Sequence, residues 1–468
     1  MSKITTRRGL FRLLGAAAAS AHLRAGDAWE RVPQILARIR PPVFPERDFD
    51  ITRFGATGDG KTDCTAAFRR AIEACSAAGG GWVVAPAGRF LTGAIHLKSK
   101  VNLHVTRDAV VLFSPNPEQY LPVVFTRWEG TECMGYSPFI YAFEQKDIAI
   151  TGAGTLDGQA SAENWWAWTG SQRYGGKPGA PSAAAARKAL FKMADNHAPV
   201  ERRVFGPGSM LRPQFIQPYR CENVLIEGVR IRNSPMWVVN PALCRNITVR
   251  GLDIATHGPN NDGCDPESCT DVLIEDCLFD TGDDCIALKS GRNEDGRRLK
   301  TPIENVIVRR CTMREGHGGV TVGSEISGGA RNIFAEDCNM DSPRLDRALR
   351  LKNNAVRGGV IENVYMRNVK VGQVAQSVLQ IDFLYEEGAK GPHKPVARNI
   401  ELRNVTSKKS RYGVHLRGLP EAPIENVSLE DCVFDNVAQG DVIENVKGLS
   451  FRNVKVNGEE QAAPKACG

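Results

Sequence analysis

A short phrase recurs through the second half of the chain, and it constrains the fold more than any other feature. Glu222-Asn223-Val224-Leu225-Ile226 is followed by Arg245-Asn246-Ile247-Thr248-Val249 and by Thr270-Asp271-Val272-Leu273-Ile274. The phrase returns at Glu304-Asn305-Val306, Arg331-Asn332-Ile333, Glu362-Asn363-Val364, Arg398-Asn399-Ile400 and Glu425-Asn426-Val427. Its starts lie roughly 22 to 36 residues apart, the length of one supersecondary unit in a repeat architecture. Within each phrase polar and apolar residues alternate, the signature of a short strand with one buried face. No long amphipathic helix separates the strands, which argues against crossover units and for strands that stack directly on the next coil. The pattern predicts an all-β fold, a single-stranded right-handed parallel β-helix with coils about 4.8 Å apart. The asparagines that open the repeats, Asn223, Asn332 and Asn426 among them, read as turn or ladder residues.

The ends of the chain read differently. Thr6-Arg7-Arg8-Gly9-Leu10-Phe11 precedes an apolar run from Leu13 to Ala19 and the small residues Ala19-Ser20-Ala21, which resembles a twin-arginine export signal covering 1–21. Export would place the protein in the periplasm or the medium. Removing that segment takes away Lys3, Arg7, Arg8 and Arg12 and no acid, so the formal charge of +7 falls to about +3. Residues 22–45 read as a linker, 46–460 as the β-helix domain, and 461–468 as a tail. The modest residual charge and the lack of a basic patch with interleaved aromatics speak against nucleic acid. No apolar stretch reaches the roughly 18 residues that span a bilayer.

Inside the domain, Phe54 to Asp63 forms a glycine-rich turn without the Gly-Lys-Ser/Thr ending of a phosphate loop. It leads into a helix predicted over Thr65 to Ala77, started by Asp63 or Thr62 and placed to plug the open end of the stack. Residues 155–212 interrupt the repeat with Trp165, Trp166 and Trp168 and a helix predicted over Pro181 to Ala194. Such long insertions are commonly functional, and the tryptophans are placed either to stack on sugars or to pack the insertion down. The 13 cysteines are an odd number with no Cys-x-x-Cys pair. Cys277, Cys311, Cys338 and Cys432 fall at one repeat position and read as a buried ladder, while Cys264 and Cys269 are spaced to bridge if oxidised.

The polar motifs follow the repeat. Asp262 and Asp284 stand 22 residues apart, close to one coil. Asp283 is adjacent to Asp284, so both reach one cleft only at a strand end or kink. His317 comes one coil later, Arg350 and Lys352 another coil on, and Tyr385 after that. Three crowded acids raise at least one pKa and so retain a proton. Inverting glycoside hydrolysis needs such an acid and a second carboxylate about 6.5 to 9.5 Å away to activate water. Arg350 and Lys352, two apart on one face, suit a substrate that carries a carboxylate.

Four ordered motifs carry a family resemblance: Asn260-Asn261-Asp262, Gly282-Asp283-Asp284, Gly316-His317-Gly318 and Arg350-Leu351-Lys352. The chain resembles glycoside hydrolase family 28, the polygalacturonases, over nearly all of its length beyond the signal. The resemblance implies Asp283 as general acid and Asp262 with Asp284 as the pair that activates water. It implies that His317 supports the acid, that Arg350 and Lys352 hold the galacturonate carboxylate, and that Tyr385 lines the site, while Asn260 reads equally as a substrate contact or a turn-stabilising residue. The implied reaction is inverting, needs neither cofactor nor metal, and acts on an acidic pectic polysaccharide or oligogalacturonide. Asn261 and Leu351 depart from the family's threonine and isoleucine and spare the reacting groups. The stretch 126–130, the Trp-bearing insertion and residues 318–325 resemble bacterial exo-acting members. Rhamnogalacturonan or xylogalacturonan hydrolysis, a calcium-dependent pectate lyase and a non-catalytic β-helix adhesin stand as alternatives.

Overall fold

The computed structural model describes residues 27–462. The repeats stack in parallel and in register: Val224, Ile247, Val272, Val306, Ile333, Val364, Ile400 and Val427 form one continuous inward column. All eight are buried, and together they form the spine of the expected parallel β-helix. The residue before each one turns the corner. Asn223, Asn246, Asp271, Asn305, Asn332, Asn363, Asn399 and Asn426 have φ between 54° and 59°, a left-handed conformation that asparagine and aspartate tolerate best among residues with a side chain. Along most of the column each asparagine amide donates to the asparagine oxygen one coil earlier, at 2.7 to 3.3 Å.

The described cysteines are all free and buried. Cys264 and Cys269 therefore do not bridge. The Cys269 sulfur instead accepts from the Cys244 amide, and that of Cys244 from the Cys221 amide, forming a ladder of small side chains. Cys277, Cys311 and Cys338 make a second ladder in contact. Cys467 and the expected export signal lie outside the described residues.

Residues 28–39, expected as part of a linker, form a strap. Helix α1 (Arg31–Arg38) lies against the outside of the stack, where Trp29, Val32, Ile35 and Ile39 cover Leu273, Ile307 and Phe334. Those three project outward from successive coils, and an apolar stripe of that kind needs cover. Polar contacts fasten the strap to the corner residues: Arg31 donates to Asn332, Arg38 forks onto Asp271 at 2.6 and 3.0 Å, and the Arg40 amide donates to Asn246.

Helix α2 (Thr65–Ala77) covers the first coil and buries Phe68, Ala71 and Ile72. Cys64 occupies its cap position, but Asp63 does the capping, accepting from the Thr65 amide and hydroxyl. In the insertion, helix α3 (Ala183–Asp195) forms where an alanine-rich helix was predicted. Trp165 is buried among Tyr120, Phe139 and Trp168, and the Trp166 indole donates to the Ser234 carbonyl. These two tryptophans pack the insertion onto the coils.

Candidate active site

A second sheet of six strands carries the polar stripe: Ile286–Leu288, Val320–Val322, Arg347–Lys352, Ser377–Asp382, Tyr412–Arg417 and Val442–Glu444. Its register sets Thr321 beside Arg350. Asp283 and Asp284 lie in the bend just before the first of these strands, as the adjacency of two inward-reaching acids requires. The coil above brings in Asp262, because the Gly263 amide donates to the Asp284 carbonyl at 2.9 Å. The coil below brings in His317, whose amide donates to the Asp283 carbonyl at 3.1 Å. Asp262, Asp283 and Asp284 each present a carboxylate oxygen within 4.8 Å of the others. These oxygens are closer than the 6.5 to 9.5 Å expected between acid and base in inverting hydrolysis.

The three carboxylates are held in different ways. Asp284 is wholly buried. Its Oδ1 accepts from the Thr321 hydroxyl at 2.9 Å and lies 3.4 Å from Arg350, while Oδ2 accepts from Lys352 at 2.7 Å. Burial opposes its charge, but Lys352 and Arg350 outweigh burial and hold its carboxyl well below the usual range. Asp262 is buried with weaker compensation. Burial first, then the charges of Asp283 and Asp284, push it up to about 8. Asp283 is half-buried, and its Oδ1 lies 3.0 Å from His317 Nδ1. That hydrogen bond raises the imidazole to about 9, so His317 keeps its proton through neutral pH.

The remaining predicted residues join the same stripe. The Tyr385 ring lies 5.7 Å from the Arg350 guanidinium and 5.4 Å from the Lys352 ammonium. Asn260 sits at φ 54° and accepts from the buried Arg212 at 2.7 Å, so its side-chain oxygen fixes the turn. Arg212 in turn donates to the carbonyls of Pro235 and Pro259. Asn261 is buried and bonds the Thr256 hydroxyl and the carbonyls of Ser234 and Met236, which makes its departure from threonine structural. Two hollows flank the triad. One of about 710 Å³ begins at Asn260 and is lined by Trp128, Glu129, Arg187, Phe191 and Arg212. The other, of about 610 Å³, begins at His317 and includes His257, Glu315 and Arg344.

Two groups among the described residues have the spacing of metal ligands: the aspartate triad, and His257 with Asp280 and Glu315. In the triad, Lys352 and Lys289 already bring to Asp284 and Asp262 the positive charge that a cation would supply. The sequence reading gave no role to Thr321, Arg212, Lys289 or Glu325. Lys289 directly follows the strand Ile286–Leu288, and a lysine at the end of an apolar run was the signal available.

The description "Glycosyl hydrolases family 28" matches residues 208–457, which contain all four motifs. The chain belongs to that family. A second profile, "Rhamnogalacturonase A/epimerase, pectate lyase-like", matches residues 49–104 of this family 28 hydrolase, the region of its capping helix. The solved structure of a hyperthermoactive exopolygalacturonase from Thermotoga maritima is similar at 44% identity and a TM-score of 0.90, covering 92% of this chain and 96% of that one. A probable polygalacturonase of Vitis vinifera is 29% identical over 85% of this chain and 77% of its own length. The exo-poly-alpha-D-galacturonosidase of Dickeya chrysanthemi is 26% identical over 77% of this chain and 62% of its own.

Proposed function

We propose that this family 28 hydrolase cleaves the α-1,4 bonds of polygalacturonan from a chain end, with inversion. The observation that carries the reading is the aspartate triad, with one member clamped by cations, one paired with an imidazole and one buried beside them. Asp283, supported by His317, protonates the leaving oxygen. Asp262 and Asp284 face the water that attacks the anomeric carbon. Arg350 is placed to take the galacturonate carboxylate: its Nε is unpartnered and its contact with Asp284 is long, at 3.4 Å. Lys352 is committed to Asp284 at 2.7 Å, so its main contribution is to hold that carboxylate, with Tyr385 beside both cations.

Chain-end action is supported by the insertion, whose helix α3 walls the hollow at Asn260 with Arg187 and Phe191, and by the similarity to the Thermotoga exopolygalacturonase. Incubation with unesterified polygalacturonate and EDTA should release small saturated products from the start, with no gain in ultraviolet absorbance. A ladder of long oligomers would overturn chain-end action. An unsaturated product lost on chelation would point to a lyase.

The engagement of Asp284 supports inversion. Thr321, Lys352 and Arg350 occupy its oxygens, which leaves it poorly placed to attack carbon itself, although the short spacing of the acids alone resembles a retaining site. Proton NMR of the first product should show the β-anomer of galacturonate before mutarotation. The α-anomer would require a covalent intermediate on one of the aspartates.

A further inference from the structure

Two buried charges beside the triad take no part in the chemistry proposed above. The Lys289 ammonium lies 3.4 Å from Asp262 Oδ2, 3.3 Å from Glu325 Oε2 and 4.2 Å from the centre of the Trp237 ring. The Lys289, Asp262 and Glu325 side chains are 3%, 4% and 9% exposed. An ammonium in such a place must be paired, since an isolated buried charge costs several kcal/mol. Pairing alone would be met by Glu325, yet Lys289 also reaches a group of the reacting cluster.

The two carboxylates that face the attacking water differ in how they are held. Asp284 has partners on both oxygens. Asp262 has a partner on Oδ2 only, and its Oδ1 is buried and unpartnered. A proton acceptor needs a free oxygen, and in this pair Asp262 alone has one.

We propose that Lys289 is a positioning residue for the hydrolysis: it holds Asp262 through Oδ2 and favours its charged form, so that Oδ1 takes the proton of the attacking water while Asp283 supplies one to the leaving oxygen. The inference rests on the reading in the previous subsection. In the step, the water oxygen bonds to the anomeric carbon as the glycosidic C–O bond breaks. The Asp283 proton goes to the leaving oxygen and one water proton to Asp262 Oδ1. The cluster ends with the same number of protons, moved from one aspartate to another, and resets by exchange with solvent.

Charge around the site gives Lys289 its leverage. Burial first, then Asp283 and Asp284, favour a proton on Asp262, while Lys289, Lys352 and Arg212 oppose it. Among the charges that oppose a proton on Asp262, that of Lys289 is the largest. Lys289 is shared with Glu325, Asp265, Asp284 and Glu267. Glu325 also faces Arg292, Arg357, Lys352 and Glu386, and so sets how much of the Lys289 charge reaches Asp262.

The test measures kcat and KM on polygalacturonate against pH for wild type, Lys289→Met, Lys289→Arg and Glu325→Gln, with folding checked by circular dichroism. Losing the cation makes Asp262 harder to ionise, so Lys289→Met should lose about 100-fold in kcat with little change in KM, and its acid limb should move to higher pH. Lys289→Arg should keep most of the rate and the wild-type limb. Glu325→Gln should move the limb to lower pH, and it carries the test by itself if Lys289→Met does not fold. A folded Lys289→Met with a wild-type rate and limb, or an unshifted limb in Glu325→Gln, overturns the inference while leaving the hydrolase reading intact. A wild-type chain inert on polygalacturonate overturns both.

Discussion

Replacing Asp283 with asparagine should lower kcat on polygalacturonate by about 10²- to 10⁴-fold, the range of general acid catalysis, with KM changed little. The amide keeps the size of the side chain and its contact with the Asp284 amide, which donates to Asp283 Oδ1 at 2.9 Å. It has no proton of comparable acidity to give to the leaving oxygen. The folded state should change little, because relief of crowding among three acids within 4.8 Å works against the weakened pairing with His317. Thermal unfolding should therefore show a nearly unchanged midpoint alongside the lost rate. A variant that is both inactive and unfolded would mark Asp283 as structural, and a variant with the wild-type rate would remove it from the chemistry.

Lys352→Met should affect both stability and activity. The ammonium is the 2.7 Å partner of a carboxylate that is wholly buried, and breaking a buried pair by removing one member costs about 3–5 kcal/mol. Urea unfolding at neutral pH should reveal that loss, and activity should fall as Asp284 shifts or takes up a proton. The double change Asp284→Asn with Lys352→Met should recover part of the stability and none of the activity. The pH dependence has a definite sign. Asp284 is depressed in the folded state, so the stability it contributes is present above its unfolded value of about 3.9 and fades as pH falls below that. The gap between wild type and Lys352→Met should therefore narrow in acid. A gap that is small at neutral pH, or constant with pH, would contradict the pairing.

The repeat was legible because each coil is a local copy. A strand phrase, a left-handed asparagine and an inward valine or isoleucine can each be read without knowing the neighbours, and Asn223 to Asn426 stand where that reading put them. The motifs were legible for the same reason, since one coil brings Asp262 beside Asp284 and the next brings His317 to Asp283. What sequence could not supply was direction and partnership. Lys289 looks like any strand-end lysine until its ammonium is found on Asp262. Nothing in the sequence ties Asn260 to Arg212, which is found on its side-chain oxygen. The strap escaped because its helix is short, contains Pro33 and gains its stability from a stripe on coils more than 200 residues away.

That strap bears on the order in which the molecule is completed. Asp27, the first residue described, pairs with Arg403, 376 positions later, and Trp29 sits on Phe334 and Tyr365. The strap, made before any of the coils it covers, thus has no seat until the late coils exist. Closing so long a loop adds little entropy beyond a shorter one, so what delays the strap is the absence of its docking surface. Its fastening marks a finished stack, and a chain that stalls halfway keeps both a loose leading end and a bare apolar stripe.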